Sequence, residues 1–332
     1  GQIYKTVIDR ERSFGYKGED VEAIPHVSDE IITRIKNAGE GKDIIIIELG
    51  GTAGENHNML YYEACRIMKA KMPGRVLNIH VSYVPIPNHI GEPKTMPTQL
   101  SIRTVMSMGI LPEFLVLRSE ALIDKRRKYL LGLKTSVEGD NVIMAQDLGT
   151  IYELPVVFAK QEFDRKVLKY FNLPLRTPKL GEWNKMVKKI KSEKKRKINI
   201  VIAGKYISTG DYELLDSYAS LIEAIQHACW HLNTELNLRF VNTEDIEKEG
   251  VKLIKKPDGI IVPIGWGNRG AEGKISAIKY AREKKIPYLG LCYGMQLASV
   301  EFARNVVGLK DANSVEMNPD TPDPIIHDIP MN

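Results

Sequence analysis

At 332 residues the chain is too long for one ordinary hydrophobic core and reads as two domains. Hydrophobic residues make up 43% and charged residues 27%, which excludes a disordered chain, and no apolar run approaches the length of a membrane span. The formal charge of +5 is concentrated in residues 185–197, with eight basic side chains against one acidic, so it reads as a solvated linker or helix face rather than a nucleic-acid surface.

The first residues, GQIYKTVIDRER, are polar and charged and carry no signal peptide. They also lack an initiator Met, so the N-terminus of the protein is expected upstream of Gly1. Ser28 is a plausible N-cap for a helix with Asp29 and Glu30 in its first turn and Ile31, Ile32 and Ile35 on one face. The uninterrupted apolar run at residues 44–47 predicts a strand buried on both faces. Further strands are expected at 76–84, 114–117 and 141–145. Pro174, Pro178 and the basic stretch then mark a domain seam near 177–197. Beyond it, strands at 198–203, 238–241, 259–263 and 287–291 alternate with helices. One of these helices covers 217–232, with Leu221, Ile222, Ile225 and Cys229 on one stripe.

This alternation predicts an α/β fold of two doubly wound, mainly parallel-sheet domains. The domains are expected at residues 1–177 and 198–332, joined by a basic linker at 178–197. In such sheets ligands bind beyond the carboxyl ends of the strands. Attention therefore falls on ELGGTAG from Glu48, RSE from Arg118, GKY from Gly204, PIGWG from Pro263 and CYG from Cys292.

Three cysteines without CxxC spacing argue against a disulfide framework or a zinc site and suit a reducing, cytoplasmic compartment. Cys65 and Cys229 sit in apolar helical stripes and read as buried structural thiols. Cys292 differs. In PYLGLCYGMQ, residues 287–296, a strand runs into G-x-C-x-G and then into a helical pattern. A nucleophile on such an elbow needs small residues two positions to each side, here Gly290 and Gly294, and the helix N-terminus beneath the sulfur favours thiolate.

GLCYGMQ resembles the nucleophile motif of class I glutamine amidotransferases. The stretch GNRGAEGKISAIKYAREKKIPYLGLCYGMQ is similar, nearly residue for residue, to that domain of CTP synthases. The resemblance implies that Cys292 attacks the glutamine side-chain amide, releasing ammonia from a thioester, with Gly265, Gln296 and Glu316 around the bound glutamine. In the first half, IPHVSDEI, IELGGTAG, GEPKTMPTQ and LRSE resemble CTP synthase motifs in family order, followed by Lys128 and DLGTIYELP.

That likeness implies a P-loop synthetase-like domain. UTP or CTP would lie against Lys94, Thr95, Thr98, Gln99 and Lys128, with Asp147 near the ATP adenine and Glu48 as a Mg2+ ligand. It further implies amination of UTP to CTP with ATP as co-substrate, GTP as activator, CTP as feedback inhibitor and a homotetramer. His26, after a proline, reads equally as a structural or an active-site histidine.

Departures from the pattern are specific. Ile264 stands in an oxyanion loop where the family has glycine, Met96 replaces a lysine, and Glu120 replaces an aspartate. GENHN follows the Gly-rich turn where the family has GDIE, blurring the CTP contacts. No G-x-x-x-x-G-K-[ST] and no His-Pro-Glu occurs, and His327 reads as a loop histidine. The chain as it stands is therefore expected to be a truncated form and not a competent glutaminase. A rival reading is a non-catalytic nucleotide-binding or assembly paralogue.

Overall fold

A computed structural model describes residues 1–194, 196–205, 208–209, 212–213 and 215–328. Lys195 of the basic stretch, Tyr206 of the GKY strand end and Pro330 beyond His327 lie outside the described residues. The chain divides into two compact units, Gly1–Lys188 and Lys189–Asn332.

The first unit opens with α1 (Gln2–Arg12), α2 (Ser28–Ala38) and α3 (Met59–Lys71). They close around Val7, Val27, Ile31, Ile32 and Ala64. The apolar spacing of α2 therefore faces inward as expected, and Asp29 and Glu30 occupy its first turn. Ser28 is not the cap, however. Val27 holds that position, and the Ser28 hydroxyl donates instead to Pro25 O at 2.8 Å. His26 is buried beside it, its Nδ1 against the Glu22 backbone and its ring edge-on to Tyr16 at 4.8 Å. These contacts make His26 part of the helical cluster.

The parallel sheet of this unit has the order β1 (Ile79–Tyr83), β2 (Phe114–Ser119), β3 (Val142–Gln146). Strand alternation sorts its side chains onto two faces. Leu115, Leu117, Val142 and Met144 pack with Ile102 of α4 (Met96–Ser107) and Leu131 of α5 (Lys125–Thr135). Phe114, Val116, Ile143 and Ala145 pack with Phe158 of α6 (Leu154–Lys160) and with Phe163 and Val167 of α7 (Phe163–Tyr170). Helices on both faces make the sheet doubly wound.

Residues 44–47 overturn the strand expected there. They form no strand, and Ile46 is 91% exposed. A two-sided buried strand needs ladder partners on both edges, and among the described residues nothing pairs with this run.

Helix α8 (Gly181–Lys191) carries much of the basic stretch, with Val187 buried and most of its lysines exposed. The boundary between units falls inside it. The stretch is thus largely helical rather than an open linker.

The second unit is built on β4 (Arg196–Gly204), followed by a small antiparallel pair, β5 (Ser208–Thr209) and β6 (Tyr212–Glu213). Then come α9 (Ala219–His231), β7 (Thr234–Asn242), α10 (Thr243–Glu249), β8 (Gly259–Val262), α11 (Ala271–Glu283), β9 (Tyr288–Gly290) and α12 (Tyr293–Phe302). The strand order β7-β4-β8-β9 is parallel throughout. A short parallel pair, β10 (Ala312–Ser314) and β11 (Asp323–Ile326), completes the unit. Val201, Ala203, Ile260 and Val262 meet Ile275, Ile278 and Ala281 of α11 and Leu297 and Val300 of α12 in its core. Every strand read from the sequence of this half is present, most with boundaries shifted by a few residues.

Within that packing Glu301 is 1% exposed and held in a fork by Arg282, whose Nε lies 3.0 Å from Oε2 and Nη2 2.8 Å from Oε1. Removing the guanidinium leaves a buried carboxylate unpaired, which is far worse than losing a solvated pair. Arg282→Met should therefore lower the urea midpoint of the second unit markedly. Lys197→Met, at the exposed Lys197–Glu235 pair, should barely move it.

Candidate active site

Cys292 caps the N-terminus of α12 with φ 52° and ψ −106°, a conformation that L-residues rarely adopt. The chain is forced through that turn by close backbone packing. A Cβ on Gly294 would lie 2.0 Å from Val262 O, and one on Gly290 would lie 2.7 Å from Met295 N. Val262 O also accepts the Leu291 N–H at 3.0 Å, so the end of β8 grips the elbow from beneath. The need for both glycines, inferred from spacing, thus has its cause in the second unit's backbone. The sulfur is exposed, in contrast to the buried Cys229 and the half-buried Cys65. Burial pushes both of those thiols up.

Across from the elbow runs the loop at residues 263–267. Gly265 has φ +140° and Gly267 +80°, whereas Ile264 keeps an ordinary negative φ. The β-branched residue is therefore accommodated without strain, because the unusual angles fall on the glycines around it. Glu316 Oε1 accepts the Gly267 N–H at 2.8 Å, which brings this carboxylate to the loop. Gln296 lies one helical turn after Cys292, its N–H donating to Cys292 O at 3.1 Å. Cys292, Gly265, Gln296 and Glu316 are thus tied to one elbow and one loop. His327 is exposed and its Nδ1 faces Asp328 O; among the described residues no hydrogen bond joins a histidine to Cys292.

Sequence reasoning passed over Lys274. It is completely buried on the inner face of α11, and its Nζ donates to Pro263 O at 3.0 Å and Gly265 O at 3.1 Å, 5.2 Å from the Tyr293 ring centre. Burial first, and then the neighbouring Lys205 charge, bring its pKa down to about 8, against the opposing pull of Cys292. Its only sequence signal was a charge inside an otherwise inward stripe of Ala271, Ile275, Ile278 and Ala281. The Tyr293 hydroxyl is buried without a partner among the described residues, and desolvation pushes it up to about 12.

In the first unit the candidate residues collect at the carboxyl edge of the sheet. Lys94 N donates to Pro85 O just beyond β1, and Arg118, near the end of β2, stands 3.8 Å from Asp147 just beyond β3. Tyr83 OH donates to Glu120 Oε1 at 3.3 Å. Thr95 caps α4 and accepts from Gln99 Nε2 at 3.1 Å. Thr98 and Gln99 are buried, and the Thr98 hydroxyl is paired with Ser82 Oγ at 2.9 Å, so it is held in the interior rather than offered to a ligand. Met96 opens α4 and is exposed.

Lys128 departs from this group. Burial first, and then the Lys166 charge, depress it, with Asp140 opposing. Its neighbour Arg127 takes that place, donating to Glu92 Oε1 at 2.9 Å while Lys94 reaches Glu92 Oε2 at 3.1 Å. One residue along a helix turns the side chain by about 100°, so only one of the two can face Glu92.

Glu48 is exposed in a loop rather than ending a buried strand, a direct consequence of the unpaired run before it. Among the described residues no cluster of three His, Cys, Asp or Glu side chains could hold a metal.

Comparison with known proteins places this geometry. The family model for the CTP synthase N-terminus matches residues 1–173, and that for class I glutamine amidotransferases matches residues 213–322. A CTP synthase of Wolinella succinogenes is 45% identical over 328 residues, 98% of this chain and 58% of that protein. One from Thermococcus gammatolerans is 43% identical over 332 residues, covering 99% and 61%. A solved glutaminase domain of Trypanosoma brucei CTPS with bound acivicin is 36% identical over 39% of this chain and 49% of its own, at a TM-score of 0.36, too weak a superposition to bear on the fold.

One chain thus joins a unit of the CTP synthase N-terminal family to one of the class I glutamine amidotransferase family, the latter carrying the cysteine elbow. The chain belongs to the CTP synthase family. It spans about three fifths of the length of the curated relatives it matches.

The depressed Lys274 has a consequence for stability. An unfolded lysine keeps its proton to about pH 10.4, whereas folded Lys274 releases it at about 8. Between these values the unfolded chain binds more protons, so the contribution of this group to stability rises with pH across that window. Urea midpoints at pH 7.5 and 9.5 should therefore rise more in the wild type than in Lys274→Met.

Proposed function

We propose that the protein containing this chain converts UTP to CTP, using ATP to activate the uracil O4 and ammonia from glutamine to displace the resulting phosphate. The observation that carries the reading is Cys292, held at positive φ between two glycines on an exposed elbow, in the same chain as a synthase N-terminal unit. The thiolate of Cys292 attacks the glutamine carboxamide carbon. The tetrahedral oxyanion is met by backbone N–H groups of the 263–267 loop, and once the amide nitrogen takes a proton from water, ammonia leaves as the C–N bond breaks and the thioester forms. Glu316 and Gln296 orient the amino acid.

In the first unit Lys94, joined by Arg127, supplies positive charge for the UTP phosphates at the sheet edge, where doubly wound folds bind ligands. Lys128 stands behind them as a further cation. Asp147 faces ATP. GTP as activator, CTP as feedback inhibitor and a homotetramer belong to the same reading. Among the described residues no helix is long and apolar enough to cross a membrane, and the three free thiols accord with a reducing cytoplasm.

The test separates the two half-reactions. In the full-length protein Cys292→Ser should abolish CTP formation from glutamine while leaving CTP formation from ammonium near the wild-type rate. Retention of the glutamine-dependent rate, or loss of both rates in a folded variant, would overturn the reading.

A further inference from the structure

The loop at residues 263–267 is held by three of its carbonyl groups and by the Gly267 N–H, which Glu316 Oε1 accepts. Pro263 O and Gly265 O both accept from the Lys274 ammonium, at 3.0 and 3.1 Å, while Ile264 O faces Tyr218 OH at the longer distance of 3.5 Å. The peptide bonds of this loop are trans, and in a planar trans peptide the N–H of one residue points opposite to the C=O of the residue before it. Carbonyls drawn into the interior therefore turn the Ile264 and Trp266 N–H groups away from Lys274, to the side exposed by Ile264 and Trp266 themselves. We propose that Lys274 is the positioning residue of this loop, fixing the peptide planes whose N–H groups meet the oxyanion formed at Cys292. The proposal rests on the reading of Cys292 as the glutamine-attacking nucleophile.

Three features make the ammonium hard to replace. Charge-assisted hydrogen bonds to two carbonyls are stronger than neutral ones. The Tyr293 ring below accepts a cation but supplies no competing acceptor to draw it off the loop. Finally, a Cβ on Gly265 would lie 3.0 Å from Nζ and 3.2 Å from Lys205 Cε, so the loop rests directly on the two lysines.

The groups facing Lys274 are Lys205 at the end of β4, Cys292 at the elbow and Tyr293 on α12. Arg269, Glu316 and Glu244 act on Lys205, and Glu316 and Glu272 act on Tyr293. When Lys274 loses its proton the two carbonyls keep a donor but lose its charge, and the loop is held less firmly. Reactions that need the loop should weaken as pH rises through about 8.

Two alkylating agents separate loop from sulfur. Iodoacetamide needs only the thiolate, whereas the chloromethyl ketone analogue of glutamine must also seat its carbonyl at the loop before the thiolate displaces chloride and the C–S bond forms. In the full-length protein, Lys274→Met should slow chloromethyl ketone labelling of Cys292 by about 10²-fold, the penalty of a small misplacement. Iodoacetamide labelling of the same cysteine should stay within about twofold. In the wild type the ratio of the two rates, which cancels thiolate formation, should fall as pH rises from 7 to 9.5.

Equal chloromethyl ketone rates in wild type and variant would overturn the proposal while leaving the nucleophile intact. Failure of the wild type to label at Cys292 with the chloromethyl ketone, although iodoacetamide labels it, would overturn the underlying reading and the proposal together. If Lys274→Met does not fold, Lys274→Gln takes its place in the same pair of rates: a slowed chloromethyl ketone rate supports the proposal, and equal rates overturn it.

Discussion

The carbonyl of Val262 is the point on which the second unit turns. It closes the last rung between β8 and the chain leaving β9 by accepting the Leu291 N–H, and it lies where only a glycine can follow, at Gly294. Because strand end and helix start are pressed together there, the residue between them is driven into positive φ. That residue is Cys292. Strain at a single non-glycine position is tolerated only when its surroundings leave no other path, and here the path is set by the backbone together with the Tyr288 hydroxyl, which donates to Gly294 O at 2.8 Å. The next residue after Val262 begins the 263–267 loop, so one carbonyl fixes the origin of both halves of the site.

Much of this was legible in advance, for a physical reason. A strand, a turn and a helix that bury their apolar residues on one core must declare themselves by periodicity, and the strands of the second unit do so. The elbow was legible because glycine at both 290 and 294 has no other economical explanation. Lys274 was not, since a lysine among alanines and isoleucines reads as the solvent edge of a helix until the loop above it is seen. Its significance lies in two backbone oxygens of another segment, and a one-dimensional pattern carries no trace of them.

The first unit shows the opposite failure. Four consecutive isoleucines satisfy every local criterion for a buried strand, but burial is a property of neighbours. Without a paired edge the run stays open, and Glu48 goes with it into a loop. The exchange of Lys128 for Arg127 beside Glu92 is a finer case. The resemblance pointed to Lys128 on that helix, and helical phase turns its neighbour Arg127 to Glu92. Lys94, Arg118 and Asp147, far apart in the chain, lie near strand ends because strand ends in such sheets converge whatever the length of the connections.

The exposed run at residues 44–47 also bears on the behaviour of the chain in concentrated solution. A short, β-branched, uncharged segment free of proline is the kind that stacks with copies of itself into cross-β ladders. Here it is bracketed by Asp43 and Glu48, both exposed. Stacking in register would set like carboxylates directly over one another at each end, which is how natural sequences guard stretches they cannot make polar. Glu48, considered above only for the ligand it could bind, thereby also sets a charge at the end of that run.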